Sequence, residues 1–294
     1  MGDYENAIEI SGITRQYDGF RLDSVDITVP KGTVMGFVGQ NGAGKTTTFR
    51  ALLGTMKPDS GSIKIFGMDI NEHEKEIKEK IAVVFDDLPF HDNLNARQLN
   101  IILRDLFENW DEKTFFSYLQ RFQLPEKKKF STFSRGMKMK LQIAVALSHE
   151  ADLLILDEAT AGLDPVVRSE ILDVFMEFMQ DENHSILMSS HITSDLERLA
   201  DMLTFIHDGK IILSGYKDEI LEDHAVLKCS RENLADIDPG DIVSIRVSSF
   251  ACDVMIRNRL ECPDKYRNFV TERPPLDEIL LFHVRGIKSK EWSL

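Results

Sequence analysis

An eight-residue stretch, Gly39-Gln40-Asn41-Gly42-Ala43-Gly44-Lys45-Thr46, constrains this chain more than any other. It matches the pattern G-x-x-x-x-G-K-T, in which backbone N–H groups wrap around phosphate oxygens. The apolar run at residues 33–38 predicts a buried strand before it, and residues 46–53 predict a helix that ends ahead of Gly54. A phosphate held between them would meet bare amides and the positive end of a helix dipole.

Two side chains of this stretch have a defined chemistry. Lys45 is expected to neutralise the β- and γ-phosphates of a nucleotide, and the Thr46 hydroxyl is expected to hold Mg²⁺. A glycine-rich turn matches the pattern by chance in about 1% of chains of this length, so the sequence favours nucleotide binding.

The composition limits the remaining possibilities. Of 294 residues, 43% are hydrophobic and 29% charged, as in a globular protein with one large domain and a small appendage. The net charge of −14 argues against nucleic acid as a main partner, because such sites need concentrated Lys and Arg. No uncharged apolar run approaches the ~18 residues that span a bilayer, so we expect any membrane association to pass through a partner. The cysteines, Cys229, Cys252 and Cys262, are interpreted as small buried residues.

Two further apolar runs end in carboxylates. Residues 81–85 predict a buried strand that ends at Asp86, and residues 153–156 predict another that ends at Asp157 and Glu158. The carboxyl ends of parallel strands lie at the ligand-facing edge of a sheet. Beside a phosphate loop, Asp157 fits a ligand of Mg²⁺, and Glu158 fits a base that polarises a water molecule. For Asp86, a solvated strand end remains the alternative.

Three other positions have both a structural and a functional interpretation. The Tyr17 ring stacks on an adenine or packs beneath a hairpin. Ser134, followed by Gly136, opens a predicted helix and is either an anion site or an ordinary N-cap. His191 closes a predicted strand over residues 185–190, where contact with a γ-phosphate is the favoured interpretation.

Hydrophobic residues recur at helical spacing between residues 88 and 149. One such face, expected to be buried, comprises Leu99, Ile102, Leu103, Leu106 and Phe107. Later in the chain, Ser194 and Glu197 have the spacing of a capping box.

The alternation of strands and helices predicts an α/β fold with a mostly parallel sheet. An antiparallel β subdomain at residues 8–29 precedes the loop, and a helical subdomain at about residues 88–150 is inserted in the core. We expect an ATP-binding domain at residues 1–221 and a small C-terminal α/β subdomain at 222–294, in which no chemistry is readable.

In this order, the motifs resemble those of the ATP-binding subunits of ABC transporters over residues 5 to 220. The set comprises Tyr17, the Gly39–Thr46 loop, Asp86, Ser134-Arg135-Gly136, Asp157-Glu158, Asp164 and His191. Two segments resemble those of bacterial exporters of antimicrobial peptides, toxins and drugs, namely Phe133-Ser134-Arg135-Gly136-Met137 and Pro274-Pro275-Leu276-Asp277-Glu278-Ile279.

This resemblance implies a P-loop NTPase (RecA-like) core that hydrolyses ATP with Mg²⁺. It implies nucleotide contacts from Tyr17, Gly39, Asn41, Gly42, Ala43, Gly44, Lys45, Thr46, Thr47, Ser134, Arg135, Gly136 and Asp164. It implies Mg²⁺ contacts from Thr46, Asp157 and Asp86, and catalytic roles for Glu158, His191 and Asp86.

The resemblance also implies partners. In the family the phosphate loop and the signature around Ser134 face different nucleotides, so two copies of the chain, or this chain and a related ATPase, would join head to tail around two ATP molecules. Hydrolysis would drive export through a separate integral membrane transporter subunit, at the cytoplasmic face of the cell membrane and without nucleic acid. The expected contact with that subunit is Leu88-Pro89-Phe90-His91.

Asp86 and two residues of the signature depart from the family pattern. Asp86 stands where the family usually has Gln, and its charge beside a nucleotide predicts an altered nucleotide response, unless Asp87 is the matching residue. Arg135 and Met137 replace a Gly and a Gln of the signature, which keeps its anion-binding Ser and Gly.

Two other functions compete with transport as interpretations of the sequence. A chromosome- or ribosome-acting ATPase is disfavoured by the acidic charge, the absence of sustained heptads and the single cassette. A soluble ABC-type ATPase or nucleotide sensor with a regulatory role and no transport is supported by Asp86 and opposed by the intact Glu158 and His191.

Overall fold

The protein, as a computed structural model, is described over residues 4–248, 251–257 and 265–287. Its contacts divide the chain into two compact units, Met1–Ile211 and Ile212–Leu294. Among the helices of the described ranges, none combines the length and the apolar character that crossing a bilayer requires.

The strands are β1 (Asn6–Tyr17), β2 (Phe20–Pro30), β3 (Val34–Val38), β4 (Ser60–Ile65), β5 (Met68–Asp69), β6 (Ile81–Val84), β7 (Leu153–Asp157), β8 (Ser185–Ser189), β9 (Met202–His207), β10 (Lys210–Tyr216), β11 (Ala225–Cys229), β12 (Ile242–Val247), β13 (Cys252–Ile256) and β14 (Val270–Glu272). The helices are α1 (Lys45–Leu52), α2 (Glu74–Lys80), α3 (Ala96–Leu106), α4 (Glu112–Arg121), α5 (Arg135–Ala146), α6 (Pro165–Phe178), α7 (Thr193–Leu199), α8 (Lys217–Asp223) and α9 (Leu276–Arg285).

The predicted antiparallel β subdomain is confirmed. Its strands lie in the order β2-β1-β4-β5, and β1 pairs antiparallel with both β2 and β4. Buried and exposed residues alternate along β2, as expected of a strand with one face on the core. Ile8 and Ile10 of β1 lie opposite Ile65 and Ile63 of β4, and all four side chains are buried.

The mostly parallel sheet of an α/β fold is also confirmed. Its strand order is β10-β9-β3-β8-β7-β6, and neighbouring strands from β9 to β6 run parallel. Strands β3 and β8 are buried along their whole length, because helices cover both faces of such a sheet. Parallel pairing puts the carboxyl ends of β3, β7 and β8 at one edge, where the phosphate loop begins.

The helical segment between β6 and β7 confirms only part of its predicted buried face. Leu99 and Leu103 of α3 are buried, but Ile102 and Leu106 are 48% and 65% exposed, so their predicted burial is wrong. Phe107 is half-buried and stacks on His149 with 4.3 Å between ring centroids. A helix that packs on one side only buries a narrower stripe than its apolar residues suggest.

The predicted capping box at Ser194 is wrong. Helix α7 begins at Thr193 with Ile192 at its N-cap position, where no side chain caps the helix. The Ser194 hydroxyl instead accepts a hydrogen bond from Arg168 Nη2 at 2.7 Å.

The second unit has its own sheet, in the order β12-β13-β11-β14, and its own buried core. Cys229 and Cys252 lie opposite each other on β11 and β13 as buried free thiols, which confirms their predicted burial. Burial raises the pKa of the Cys229 thiol to about 11. The third cysteine, Cys262, lies outside the described residues.

Candidate nucleotide-binding site

The phosphate loop connects the buried strand β3 to the first turn of α1 and depends on glycine for its path. Gly42 and Gly44 have φ angles of +82° and +118°, which side chains with a Cβ rarely adopt. A Cβ at Gly39 would lie 2.6 Å from the backbone oxygen of Ile206. Beside Gly42, by contrast, a Cβ would meet nothing within 4 Å, so the loop is tight against the sheet and open on its other side.

Lys45 is the first residue of α1, and its side chain is buried. Its Nζ donates a hydrogen bond to the Gly39 carbonyl oxygen at 2.6 Å and lies 3.5 Å from Glu158 Oε1. Only 6% of the residue is exposed, so this ammonium group depends on nearby oxygen atoms rather than on water. A phosphate, the predicted partner of Lys45, is an oxygen anion like the Glu158 carboxylate that lies beside the ammonium group here.

Asp157 ends β7, where parallel pairing brings it level with Ser189 at the end of β8. The Ser189 hydroxyl donates a hydrogen bond of 2.7 Å to Asp157 Oδ1. Burial, and to a lesser degree the charges of Glu158 and Asp86, raises the pKa of the Asp157 carboxyl, although the Ser189 hydrogen bond opposes this effect. A partly desolvated carboxylate of this kind gains stability from a cation.

Glu158 follows with a left-handed backbone, at φ of +54°, which costs a residue with a side chain about 1–3 kcal/mol. Its N–H donates to the Ser189 hydroxyl at 3.0 Å, and its Oε2 lies 2.5 Å from His191 Nδ1. Lys45, Asp157, Glu158 and His191 therefore converge at the sheet edge, as predicted.

Ser189 is the residue that sequence reasoning missed. It is fully buried, and its single hydroxyl contacts both carboxylate-bearing residues, Asp157 through the side chain and Glu158 through the backbone. The available signal was a polar residue at the end of a buried apolar strand, two positions before His191.

The signature residues lie at the start of α5. Ser134 is confirmed as the N-cap, since its hydroxyl accepts a hydrogen bond from the Met137 N–H at 3.3 Å. Arg135 forms an ion pair with Asp86, and both side chains are half exposed. A Cβ at Gly136 would lie 3.4 Å from Val167, which places the start of α5 beside α6. Anion binding by Ser134 stays a prediction.

The remaining candidate residues have structural contacts of their own. Tyr17 ends β1, 37% exposed, with its ring beside Phe20 and 5.5 Å from the Arg15 guanidinium. Asp164 caps α6 by accepting hydrogen bonds from the N–H groups of Val166 and Val167 at 3.1 Å. Their nucleotide contacts stay predictions, as do those of the exposed Asn41, Gly42 and Thr46, and of Ala43, Gly44 and Thr47.

The donor set fits Mg²⁺ bound with a nucleotide. The Thr46 hydroxyl and the Asp157 carboxylate are hard oxygen ligands, and Mg²⁺ is usually held by one or two carboxylates together with substrate phosphates. The glycine cradle and the buried Lys45 fit the phosphates themselves.

Comparison with known proteins agrees with this geometry. The family model "ABC transporter" matches residues 22–161. The bacitracin transport ATP-binding protein of Bacillus licheniformis is 39% identical over 220 residues, 74% of this chain and 70% of that protein. The lantibiotic transport ATP-binding protein of Streptococcus pyogenes is 38% identical over 199 residues, 67% of this chain and 85% of that protein.

A solved structure of an ATP-binding subunit of an ABC transporter aligns with a TM-score of 0.66 and 28% identity, covering 73% of this chain and 91% of that one. Together with the phosphate loop and the carboxylates at the sheet edge, these matches settle the family. This chain belongs to the ABC transporter family, as one of its ATP-binding subunits with ATPase activity.

Proposed function

We propose that this ATPase works as a head-to-tail pair, with a second copy of itself or a related chain, and drives export of a peptide, toxin or drug. It would act at the cytoplasmic face of the cell membrane through a separate membrane subunit. The similarity to bacitracin and lantibiotic transport proteins supports export.

The proposed pairing rests on the exposure of the signature residues at the start of α5. Lys45 and Glu158 lie close together and largely buried at the sheet edge, whereas Ser134 and Arg135 at the start of α5 are exposed to solvent. Val166, at the first turn of α6, is 76% exposed although apolar. An exposed helix start that offers N–H groups, beside an exposed apolar residue, suits a second molecule carrying an anion.

Within each site, the residues have distinct roles in hydrolysis. Lys45 would bind the β- and γ-phosphates, and Thr46 and Asp157 would hold Mg²⁺, which neutralises phosphate charge when bound. Glu158 would accept a proton from the attacking water, while His191, whose Nδ1 lies beside Glu158 Oε2, would orient the carboxylate and contact the γ-phosphate. Asp86 stays a predicted contact of the metal or the water.

Glu158→Gln tests the pairing and the chemistry together. The amide keeps the size of the side chain but cannot act as a base, so ATP turnover should fall about 10²–10⁴-fold. With Mg²⁺-ATP present, this variant should form a stable dimer, measured by size-exclusion chromatography with light scattering. Wild type without nucleotide is the control. Persistence of a monomer at high protein concentration, also with the membrane subunit present, would overturn the proposal.

The proposed contact with the membrane subunit begins at Leu88-Pro89-Phe90-His91, where Leu88 and Phe90 are half-buried and the other two residues exposed. Helix α3 follows, with Ile101, Ile102 and Leu106 exposed. Such apolar exposure marks an interaction surface. We therefore include the exposed face of α3 in the proposed contact.

Phe90→Asp should uncouple transport while ATPase activity of the isolated subunit persists. The matched control is Val270→Asp, because Val270 is an exposed apolar residue of the second unit. Transport by reconstituted complexes of the two variants is the measurement, and equal transport by both would contradict the proposed contact.

A further inference from the structure

Asp86 and Arg135 contact each other. Arg135 Nη2 donates to Asp86 Oδ1, and the two side chains are about equally exposed, at 50% and 51%. Asp86 lies just beyond β6, and Arg135 is the first residue of α5. The pair therefore links the nucleotide edge of the sheet to the signature helix.

Arg135 also lies against the turn that leads to α6. A Cβ at Gly162 would lie 3.3 Å from the guanidinium carbon of Arg135, and Gly162 has a φ of +66°. The guanidinium is thus placed between Asp86 and this turn. Its planar shape allows it to keep one contact while it exchanges the other.

The position of Arg135 suits an anion other than Asp86. A cation at the N-terminus of a helix is unfavourable, because it faces the positive end of the helix dipole, and the first turn of α5 contains no acidic residue. A phosphate at this end would be attracted by both the dipole and the guanidinium, which binds phosphate oxygens in pairs. The Asp86 ion pair is exposed and therefore weak enough to exchange.

We propose that Arg135 exchanges Asp86 for the triphosphate bound to the partner chain when two chains close around ATP. Asp86 thereby opposes closure until the phosphates replace it as the partner of Arg135. This inference rests on the proposed head-to-tail pairing, in which the signature faces the nucleotide of the other chain.

Single and double substitutions in the Glu158→Gln background test the exchange. The measurement is the dimer dissociation constant in Mg²⁺-ATP, by analytical ultracentrifugation. Asp86→Asn releases Arg135 and should tighten the dimer on the order of tenfold. Wild type must break two exposed ion pairs when a symmetric dimer closes, and the variant has none to break. Arg135→Ala should weaken it by at least about as much. The double variant should match Arg135→Ala, because in this proposal Asp86 affects closure only through Arg135.

Two outcomes would overturn the exchange. Weaker pairing of Asp86→Asn would show that Asp86 supports closure directly, as a metal ligand would. Additive effects in the double variant would show that the two residues act separately. Arg135→Lys, which keeps the charge and loses the paired donors, should fall between wild type and Arg135→Ala, which guards against misfolding of the alanine variant.

A neighbouring ion pair provides the matched control. Lys138, one turn further along α5, lies 3.4 Å from Asp92. Lys138→Ala and Asp92→Asn should change the dissociation constant less than about twofold, since this pair is also exposed and lies away from the helix start. If the Glu158→Gln protein itself remains monomeric, the proposed function fails. If it dimerises and the variants follow the order above, both proposals stand.

Discussion

The candidate residues at the sheet edge and those of the signature differ in how firmly the fold holds them. On the sheet side, Lys45, Asp157 and Glu158 are tied by short contacts to buried backbone or to the buried Ser189. On the signature side, Arg135 is held by one exposed ion pair and by its contact with a turn. The first side is preformed for chemistry. The second side is held weakly enough for Arg135 to change partner, as the proposed exchange requires.

The largest expected effect comes from breaking the ion pair that anchors α7, the helix that follows His191 of the sheet edge. Arg168 on α6 donates from Nε to Asp195 Oδ1 on α7 at 2.6 Å, its Nη2 lies 2.5 Å from the same oxygen, and Asp195 is 1% exposed. Arg168→Ala leaves that carboxylate buried without its cation and should lower the free energy of unfolding by about 3–5 kcal/mol. Chemical denaturation of the first unit is the measurement.

Lys138→Ala is the control on the signature side, since it removes an exposed ion pair from a helix. It should change the free energy of unfolding by less than about 0.5 kcal/mol. A loss as large as that of Arg168→Ala would mean that the two sides are equally firm, contrary to the comparison above.

The next effect tests whether the firm side matters for chemistry. Ser189→Ala removes the 2.7 Å donor to Asp157 and leaves the Glu158 N–H only the Ser189 carbonyl oxygen at 3.3 Å. Both carboxylates lose orientation, so kcat should fall about 10–100-fold with little change in KM for ATP. Steady-state ATPase assays at saturating Mg²⁺ are the measurement.

Ser190→Ala is the matched control, because Ser190 is as deeply buried and accepts a hydrogen bond from the Ile192 N–H at 3.0 Å. Ser190→Ala should lower the free energy of unfolding by about 1 kcal/mol. Its kcat should fall far less than that of Ser189→Ala. Equal loss of kcat in both variants would indicate a general defect of β8 rather than a positioning role for Ser189.

The sequence predicted the firm side better than the signature side. The phosphate loop and the carboxylates of β7 are local patterns, in which spacing along the chain fixes position in space. The Asp86–Arg135 pair joins residues 49 apart, and Ser189 reaches Asp157 only through the pairing of β7 with β8. Side-chain contacts between distant segments have no local signature, which explains why these were missed.

The exposed face of α3 was misjudged for a different reason. Ile102 and Leu106 follow the spacing of a buried helix face, yet only Leu99 and Leu103 pack inward. An apolar face gives the same pattern whether it meets the core or a partner protein. Periodicity alone therefore does not separate the two.

The smallest effect concerns the buried end of α5, in contrast to its exposed start. His149, just beyond this helix, is buried against Phe107, and burial lowers the pKa of its imidazole. Because the pKa of this imidazole is lower in the folded chain, the unfolded chain binds the proton more strongly. Its contribution to stability is therefore complete above pH 6.5 and is lost as the pH falls towards the folded-state pKa.

His149→Phe should keep the stacking and remove the titrating group, so that the free energy of unfolding falls less than in wild type between pH 7 and pH 5. Denaturation curves at both values measure this, and the difference between variant and wild type at pH 8 isolates the packing contribution. Parallel pH profiles would show that protonation at this end of α5 has no part in acid stability. A flatter profile for the variant would show that protonation of the buried His149, just beyond α5, destabilises the folded chain in acid.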